Sequence, residues 1–257
     1  DGRTWLMIGA GDKIYYDRPS MTWKWEGDAL PDDMLQPLDD PTFTRSSVAY
    51  KQDGTQVAAN VPRFEDGKFG KAVMVEEGTT NLLTNPSFEG TFVSGVAPNW
   101  VTYSTGSATG SYAESADALV GIKAQRITRT GGATSDRWGI RGTSSAIGGT
   151  SATISVYIKV LSFTSGAIVK LYGDFTGGPY GVGQNYTITS GDVGKWIRLK
   201  GSATVDSTDT CNFYVWIEGA NADILVDCAQ VEAKPYATSF VDGTRSPETL
   251  TIPTAGV

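Results

Sequence analysis

Apolar and polar residues alternate along much of the chain after residue 42. Every second residue is apolar in 153–160, in 167–171 and in 212–217. A period of two is typical of a β-strand with one buried face. No stretch keeps apolar residues at helical spacing for more than one turn. The pattern therefore predicts an all-β protein.

Short runs rich in Val, Ile, Thr and Tyr recur between clusters of Gly, Ser, Thr and Asp, a spacing typical of sandwiches and barrels. We expect a two-sheet antiparallel jelly-roll sandwich with an N-terminal appended segment. The predicted strands are residues 71–76, 122–129, 152–160, 167–175, 186–189, 196–205, 212–218 and 224–232.

The first forty residues have a different pattern. Apolar runs at residues 5–8 and 14–16 flank a Gly/Asp-rich turn, which predicts a hairpin. Trp5, Trp23 and Trp25 are many large aromatic residues for so short a segment. We therefore expect this segment to contact another chain.

These patterns divide the chain into four parts. The predicted parts are an N-terminal hairpin, linker or assembly segment at 1–42, lead-in strands at 43–79, a jelly-roll domain at 80–235 and a C-terminal extension at 236–257.

Composition excludes several kinds of chemistry. The chain contains no histidine, which removes Ser-His-Asp and Cys-His catalysis and histidine-based zinc sites. Its two cysteines cannot build a four-cysteine zinc site. Cys211 and Cys228 are predicted to be either two buried thiols or one disulfide.

The net charge and the hydropathy of the chain limit the classes of partner that it can bind. A formal net charge of −7 argues against a nucleic-acid partner, because phosphate binding needs clustered Lys and Arg. The same charge favours neutral or amino sugars over uronic acids as ligands. No apolar run approaches the roughly 20 residues that span a bilayer, so no membrane insertion is expected.

One part of the sequence is similar to a known family of modules. Residues 81–90 read NLLTNPSFEG, and Trp100 follows ten residues later. This stretch resembles the opening of jelly-roll carbohydrate-binding modules of the family 4/9 type, and looser matches continue to about residue 233. The resemblance implies a glycan-binding sandwich in which Trp100 and Trp196 have packing roles.

The flanking segments resemble phage and prophage tail or minor structural proteins. The similar stretches are TRSSVAY at 44–50, NVPRF at 60–64, VEEGTTNLL at 75–83 and the region from Gln230 to Arg245. This resemblance implies a virion tail or bacterial surface location. It also implies other virion proteins as partners, and a homotrimer.

The module resemblance further implies a structural calcium ion where the first and last strands meet. Glu89 and Asp227 would supply carboxylate ligands, with carbonyl oxygens near Asn85 and Ser87 as additions. Calcium accepts such mixtures of carboxylates and backbone carbonyls. Alternatively, Glu89 caps a turn and Asp227 is an acid at a strand edge.

Aromatic residues at positions that the core does not claim suggest a binding face. Their flat apolar rings can stack on sugars while neighbouring polar groups bind hydroxyls. Alternatively, the rings pack under loops or at a subunit contact. The candidate carbohydrate-binding residues are Trp138, Arg141, Tyr157, Tyr172, Asp174, Tyr214 and Trp216, with Lys170 nearby.

The sequence is compatible with three functions. The first is a non-catalytic glycan-binding module that recognises surface or cell-wall polysaccharide, as in host recognition by a phage tail. The second is a purely structural tail or capsid-decoration domain. The third is an ancillary module of a secreted glycoside hydrolase. Asp136, Asp174 and Glu218 could form a carboxylate pair for glycoside hydrolysis, but no motif fixes two of them, so no enzyme is expected.

Overall fold

The computed structural model describes residues 41–67 and 70–252, together with the backbone of three strands within residues 1–40. These three strands form one antiparallel sheet and contain the predicted hairpin. They are β1 (Thr4–Met7), β2 (Lys13–Asp17) and β3 (Thr22–Glu26). The side chains of Trp5, Trp23 and Trp25, on which the assembly prediction depends, lie outside the described residues.

The lead-in segment forms short strands. They are β4 (Thr42–Thr44), β5 (Ala49–Tyr50), β6 (Gln56–Val57), β7 (Arg63–Gly67), β8 (Gly70–Met74) and β9 (Thr79–Thr80). β5 pairs with β6 and β7 with β8, so this segment is built largely from two-stranded ladders.

The central region supplies ten longer strands and one 3-10 turn, Ser190–Asp192. The strands are β10 (Val101–Ser104), β11 (Thr109–Ser115), β12 (Ala124–Gly131), β13 (Trp138–Thr143), β14 (Ser151–Phe163), β15 (Ile168–Phe175), β16 (Val182–Thr187), β17 (Trp196–Thr204), β18 (Cys211–Glu218) and β19 (Ala222–Glu232). In the C-terminal segment, β20 (Thr244–Arg245) pairs with β9, and β21 (Thr249–Thr251) pairs with β4. No helix in the described part of the chain has the length and apolar character needed to cross a membrane.

Two five-stranded antiparallel sheets form the sandwich, as predicted. Sheet I has the order β10-β13-β18-β15-β16, and sheet II has the order β11-β12-β19-β14-β17. The core lies between them, because the alternating apolar residues of both sheets point inward. Ile154 and Val156 of β14 are fully buried in this core, together with Phe213 and Val215 of β18. The alternation therefore identified the inward face correctly.

The C-terminal segment covers the outer face of sheet II. Thr238 N donates to Glu232 Oε1 at 2.8 Å, and Val241 N donates to Gln230 Oε1 at 3.1 Å. Phe240 belongs to a second small apolar cluster on the outer side of this sheet, called the outer cluster, together with Val120, Tyr157 and Cys228. Both faces of β19 are consequently buried over its whole length.

A buried ion network joins the lead-in and C-terminal segments. Glu248 accepts from Arg45 Nη1 at 2.8 Å and from Arg63 Nη2 at 2.7 Å. Arg63 also pairs with Glu76 at 2.7 Å, and Arg245 lies 3.1 Å from the same carboxylate. The three guanidinium side chains are fully buried. The network thus links positions about 200 residues apart in the chain.

Both cysteines are free and buried, which selects the thiol alternative over the disulfide. Burial raises the pKa of Cys211 to about 12. Cys228 has a left-handed backbone (φ 52°) at a point where β19 shifts register against β14. Such a bulge places two residues of one strand opposite one residue of its partner.

Candidate functional site

The outer face of sheet I is the open face of the sandwich. The strand register places cross-strand neighbours on this face in rows. One row contains Val101, Arg141, Tyr214, Tyr172 and Gly183. Neighbours in a row belong to strands about 4.8 Å apart, so their side chains can act on one ligand together.

The next row contains Tyr103, Gly139, Trp216, Lys170 and Asn185. Gly139 is needed at its position, because an added Cβ would lie 2.6 Å from the Cβ of Trp216. The absence of a side chain there leaves room for the rings of Tyr103 and Trp216, whose centroids are 5.6 Å apart.

Four rings of these two rows form one aromatic cluster. Tyr103 lies 4.8 Å from Tyr214, and Tyr172 lies 4.9 Å from Trp216, measured between ring centroids. These separations are typical of tilted and edge-to-face aromatic pairs. The three tyrosines are half-buried, so their ring surfaces are partly accessible.

Trp216 forms the floor of this cluster and is not an exposed ring. Only 1% of the residue is accessible, because the guanidinium of Arg137 lies 4.7 Å from its ring centroid and the tyrosines surround it. Its Nε1 donates to Glu218 Oε2 at 2.8 Å. The expectation that a sugar stacks on the Trp216 ring is therefore wrong. Alternation places a side chain on a face but does not predict what covers it.

Charged side chains surround the rings. Lys170 Nζ lies 2.7 Å from Glu218 Oε1, and Arg137 Nε lies 3.8 Å from Glu218 Oε2. Arg137 also donates to the hydroxyl of Tyr103 at 3.2 Å. The pKa of Arg137 is raised, chiefly by this bond, so its charge is held beside the rings.

Asp174 lies at the other end of the face, next to Tyr172. Burial raises the pKa of the Tyr172 phenol, and the charge of Asp174 and its hydrogen bond with the phenol add to the effect. Asp174 also accepts from Gly181 N at 3.3 Å, in the loop that carries the exposed Tyr180. This end of the face therefore offers a tyrosine, an acceptor carboxylate and a second tyrosine nearby.

Two predicted binding residues lie elsewhere. Trp138 belongs to the inner side of sheet I, where its ring stacks on Tyr112 of sheet II at 4.9 Å and 16°. Burial raises the pKa of Tyr112 to about 12. In β13 it is Arg141 and not Trp138 that points outward, because Ile140 and Trp138 share the inward parity.

Tyr157 belongs to sheet II and lies on the opposite side of the molecule. It is buried in the outer cluster with Phe240 and Cys228. Arg198 lies 5.4 Å from its ring centroid. The expectation that Tyr157 shares a face with Tyr172 and Tyr214 is wrong, because β14 and β15 belong to different sheets.

The three candidate acids for hydrolysis do not form a pair of free carboxylates. Glu218 is bound by Lys170, and Asp174 is near Tyr172. Asp136 is engaged in a turn, where hydrogen bonds from the backbone of Ser107 and other donors lower its pKa.

The predicted calcium ligands contact one loop, residues 119–123. Glu89 Oε1 accepts from Ile122 N at 2.7 Å and from Lys123 N at 3.1 Å. The carboxylate of Asp227 accepts from Leu119 N at 2.8 Å and from Val120 N at 3.0 Å. Backbone N–H groups thus occupy part of both carboxylates.

Asn85 and Ser87 are predicted to contribute carbonyl oxygens, and the carbonyl of Asn85 accepts from Trp100 Nε1 at 2.9 Å. The side chains of both residues also have hydrogen-bond partners. Asn85 Nδ2 donates to the carbonyls of Glu89 and Pro98 at 2.9 Å, and Ser87 Oγ donates to Asp242 at 3.2 Å. Burial raises the pKa of Asp227 to about 7, and this effect outweighs the backbone hydrogen bonds from Val120, Cys228 and Leu119, which lower it. Within residues 41–67 and 70–252, no three Asp, Glu, Cys or His side chains are grouped to hold a metal. A calcium ion would therefore need backbone carbonyls, and the site stays a prediction.

Trp100 and Trp196 have the environments expected of packing residues. Trp100 is 5% exposed, lies 4.6 Å from Phe88 between ring centroids and donates from Nε1 to the carbonyl of Asn85 at 2.9 Å. Trp196 is half-buried against the outer cluster of sheet II.

Sequence reasoning missed Tyr103 and Arg137. Tyr103 lies in β10, an edge strand whose residues are mostly exposed, so its apolar alternation is weak. Arg137 lies just before β13, outside any strand, so strand alternation does not place its side chain. Only the tertiary structure brings it over Trp216. One signal in the sequence could have identified Tyr103. Val101 and Tyr103 are two residues apart, which is the spacing of side chains on one face of a strand.

No protein-family model matches the sequence, and no curated protein matches it. Several solved structures are similar to this chain over much of its length. A family 11 carbohydrate-binding module from Clostridium thermocellum, in complex with a β-1,3-1,4-mixed-linked tetrasaccharide, is 17% identical with a TM-score of 0.40. The alignment covers 61% of this chain and 95% of that module.

Two other structures extend the comparison. A structure of carbohydrate-binding modules of the β-sandwich superfamily, described as promiscuous in specificity, is 12% identical over 89% of this chain and 96% of the other, with a TM-score of 0.49. The enzymatically active domain of tailspike protein 4 from bacteriophage CBA120 is 13% identical over 59% of this chain and 21% of that chain, with a TM-score of 0.42. The jelly-roll assignment itself rests on the strand order and register of this chain.

Proposed function

We propose that this chain is a non-catalytic glycan-binding module and that its ligand lies across the outer face of sheet I. The observation that carries the proposal is the cluster of Tyr103, Tyr172 and Tyr214, half-buried around Trp216 on a face that no segment within residues 41–67 and 70–252 covers. Sugar rings present apolar C–H faces that stack on such side chains, and a few charged groups at the edge bind hydroxyls.

The contrast between the two outer faces supports this choice. On sheet II, residues 238–241 hydrogen-bond to outward side chains and bury them. On sheet I, the corresponding positions hold tyrosines and charged residues that keep partial contact with solvent. An aromatic face that is partly exposed to solvent is typical of a binding site.

We further propose that the module belongs to a phage tail or bacterial surface protein and binds cell-wall or surface polysaccharide. This context rests on the flanking segments. Their motifs contribute Arg45, Arg63, Glu76 and Arg245, which come from distant parts of the chain and meet in one buried network. Because all the matching segments contribute to one network, we interpret them as a single unit that was inherited together. Its neighbours would be other virion proteins.

A glycan microarray probed with the labelled chain tests the proposal. The wild-type chain should bind at least one glycan with a Kd in the micromolar to millimolar range, about −4 to −8 kcal/mol. Tyr214→Ala should lose at least about 1 kcal/mol of binding free energy. Tyr236→Ala removes an exposed tyrosine from the C-terminal segment and serves as the matched control.

Two results would refute the proposal. One is that the wild-type chain binds no glycan on the array or on isolated bacterial cell walls. The other is that Tyr214→Ala, still folded by circular dichroism, binds as tightly as the control variant.

A further inference from the structure

The open face carries a different charge from the chain as a whole. The formal net charge of the chain is −7. The outer face of sheet I and its rim, however, hold the cations of Arg137, Arg141 and Lys170 against the carboxylates of Asp174 and Glu218. Among the described residues, these five groups sum to one positive charge.

Two of the three cations are already engaged. Lys170 pairs with Glu218 at 2.7 Å, while Arg137 lies over Trp216 and 3.8 Å from the same carboxylate. Arg141 is exposed and has no hydrogen-bond or ion-pair partner in the described ranges 41–67 and 70–252. In the part of the chain that the structure describes, Arg141 is the cation of this face that has no partner.

The register places this cation beside a ring. Arg141 is the direct cross-strand neighbour of Tyr214. Asp174 of β15 is the cross-strand neighbour of Asn212, and Asn212 is the neighbour of Thr143 in β13. Asp174 therefore lies two strands away from Arg141 and is displaced along the strands by two residues. In the described part of the chain, no ion pair joins Asp174 to Arg141, and the charged groups of this face that do interact are Lys170, Arg137 and Glu218.

We propose that the face selects saccharides with an anionic substituent, a carboxylate or a phosphate, and that Arg141 binds this group while a sugar ring packs on Tyr214. This inference rests on the proposed function. A guanidinium presents a planar fork of donors that matches both groups in a bidentate manner.

The net charge of the chain does not oppose this selection. At physiological ionic strength charges are screened over about 8 Å, so acids on distant surfaces act weakly at Arg141. A contact of about 4 Å with the guanidinium is much less affected. The ligand's charge is therefore predicted from the charges on this face and not from the net charge of the chain.

The test uses a microarray of neutral glycans together with matched pairs. One pair is oligogalacturonate and the same oligosaccharide with its carboxyl groups reduced to hydroxymethyl groups. The second is a phosphomannan and the dephosphorylated mannan. The proteins are the full chain, its Arg141→Gln variant and Lys200→Gln, which removes an equal charge from an exposed position on sheet II.

We expect the anionic member of at least one pair to bind about three- to tenfold more tightly at low salt. This preference should disappear in Arg141→Gln and persist in Lys200→Gln. The pair that responds distinguishes a carboxylate from a phosphate ligand.

Equal binding within each pair, or retention of neutral glycans alone, overturns the inference and leaves the proposed function standing. A preference that survives in Arg141→Gln also overturns the assignment to this residue. Binding to no glycan at all refutes the proposed function, and the inference with it.

Discussion

The guanidinium carbon of Arg137 lies 4.7 Å from the centroid of the Trp216 ring, and Trp216 Nε1 donates to Glu218 at 2.8 Å. Because the ring is covered from above and bonded at its edge, it belongs to the structure of the face. The accessible surfaces of the cluster are those of Tyr103, Tyr172 and Tyr214.

Trp216→Ala should therefore destabilise the protein. Removing a large buried aromatic side chain costs about 3–5 kcal/mol, which a urea unfolding curve would show as a lower midpoint. Tyr180→Ala, at a residue that is 70% exposed on the neighbouring loop, should stay within about 0.5 kcal/mol of wild type. A Trp216→Ala protein as stable as this control would contradict the assignment of the ring to packing.

Glu248→Gln should weaken the connection between the lead-in and C-terminal segments. It removes a buried carboxylate that binds Arg45 and Arg63, and breaking a buried pair costs about 3–5 kcal/mol because a charge is left unpaired. Glu114→Gln breaks an exposed pair with Lys123 and should cost no more than about 1 kcal/mol. Similar unfolding midpoints for the two variants would argue against a stabilising network.

Acid should destabilise the protein through Glu76. Burial opposes ionisation of this carboxyl, but Arg245, Ser239 and Arg63 outweigh it, and its pKa is lowered from its ordinary value. A group with a depressed folded pKa stabilises the fold above its unfolded pKa, and this contribution is lost as the pH falls through the folded value. The urea midpoint should decrease between pH 6 and pH 3, values on either side of the ordinary pKa of about 4.3. The decrease should be smaller in Glu76→Gln, and an identical decrease would exclude Glu76 as a contributor.

We propose that calcium stabilises the fold through Glu89 and Asp227. A ligand that binds only the native state adds about 2.7 kcal/mol at a hundredfold excess over its Kd, so the Tm should rise by about 5–10 °C. Melting curves in calcium, in magnesium and in chelator provide the measurement. Identical curves would show that the backbone N–H groups of residues 119–123 satisfy both carboxylates without a metal.

We propose a homotrimer in which residues 1–40 contribute to the contact between chains. Light scattering should give about three times the chain mass for the full chain and a smaller mass for a shortened chain that begins at Pro41. The shortened chain still contains Arg45 and Arg63, so the buried network remains complete in both proteins. Equal monomer masses would refute the proposal.

The sequence predicted the sandwich because inward side chains repeat every second residue in the strands that carry the core. Residues 152–160 and 212–218 fall within β14 and β18. The same signal failed for β10 and β11, whose side chains are largely exposed at the edges of the two sheets. An edge strand with little burial leaves no periodic pattern in the sequence.

By itself the sequence determined which side chains of a strand point inward, and hence the fold class and much of the core. Only the tertiary structure decided what happens on the outward side, where Tyr157 and Tyr214 have the same alternation. The return of residues 238–241 over sheet II buries Tyr157, whereas Tyr214 stays accessible on sheet I. Alternation is a property of one strand, but coverage of an outer face and the gathering of charge around Arg141 depend on segments far apart in the chain.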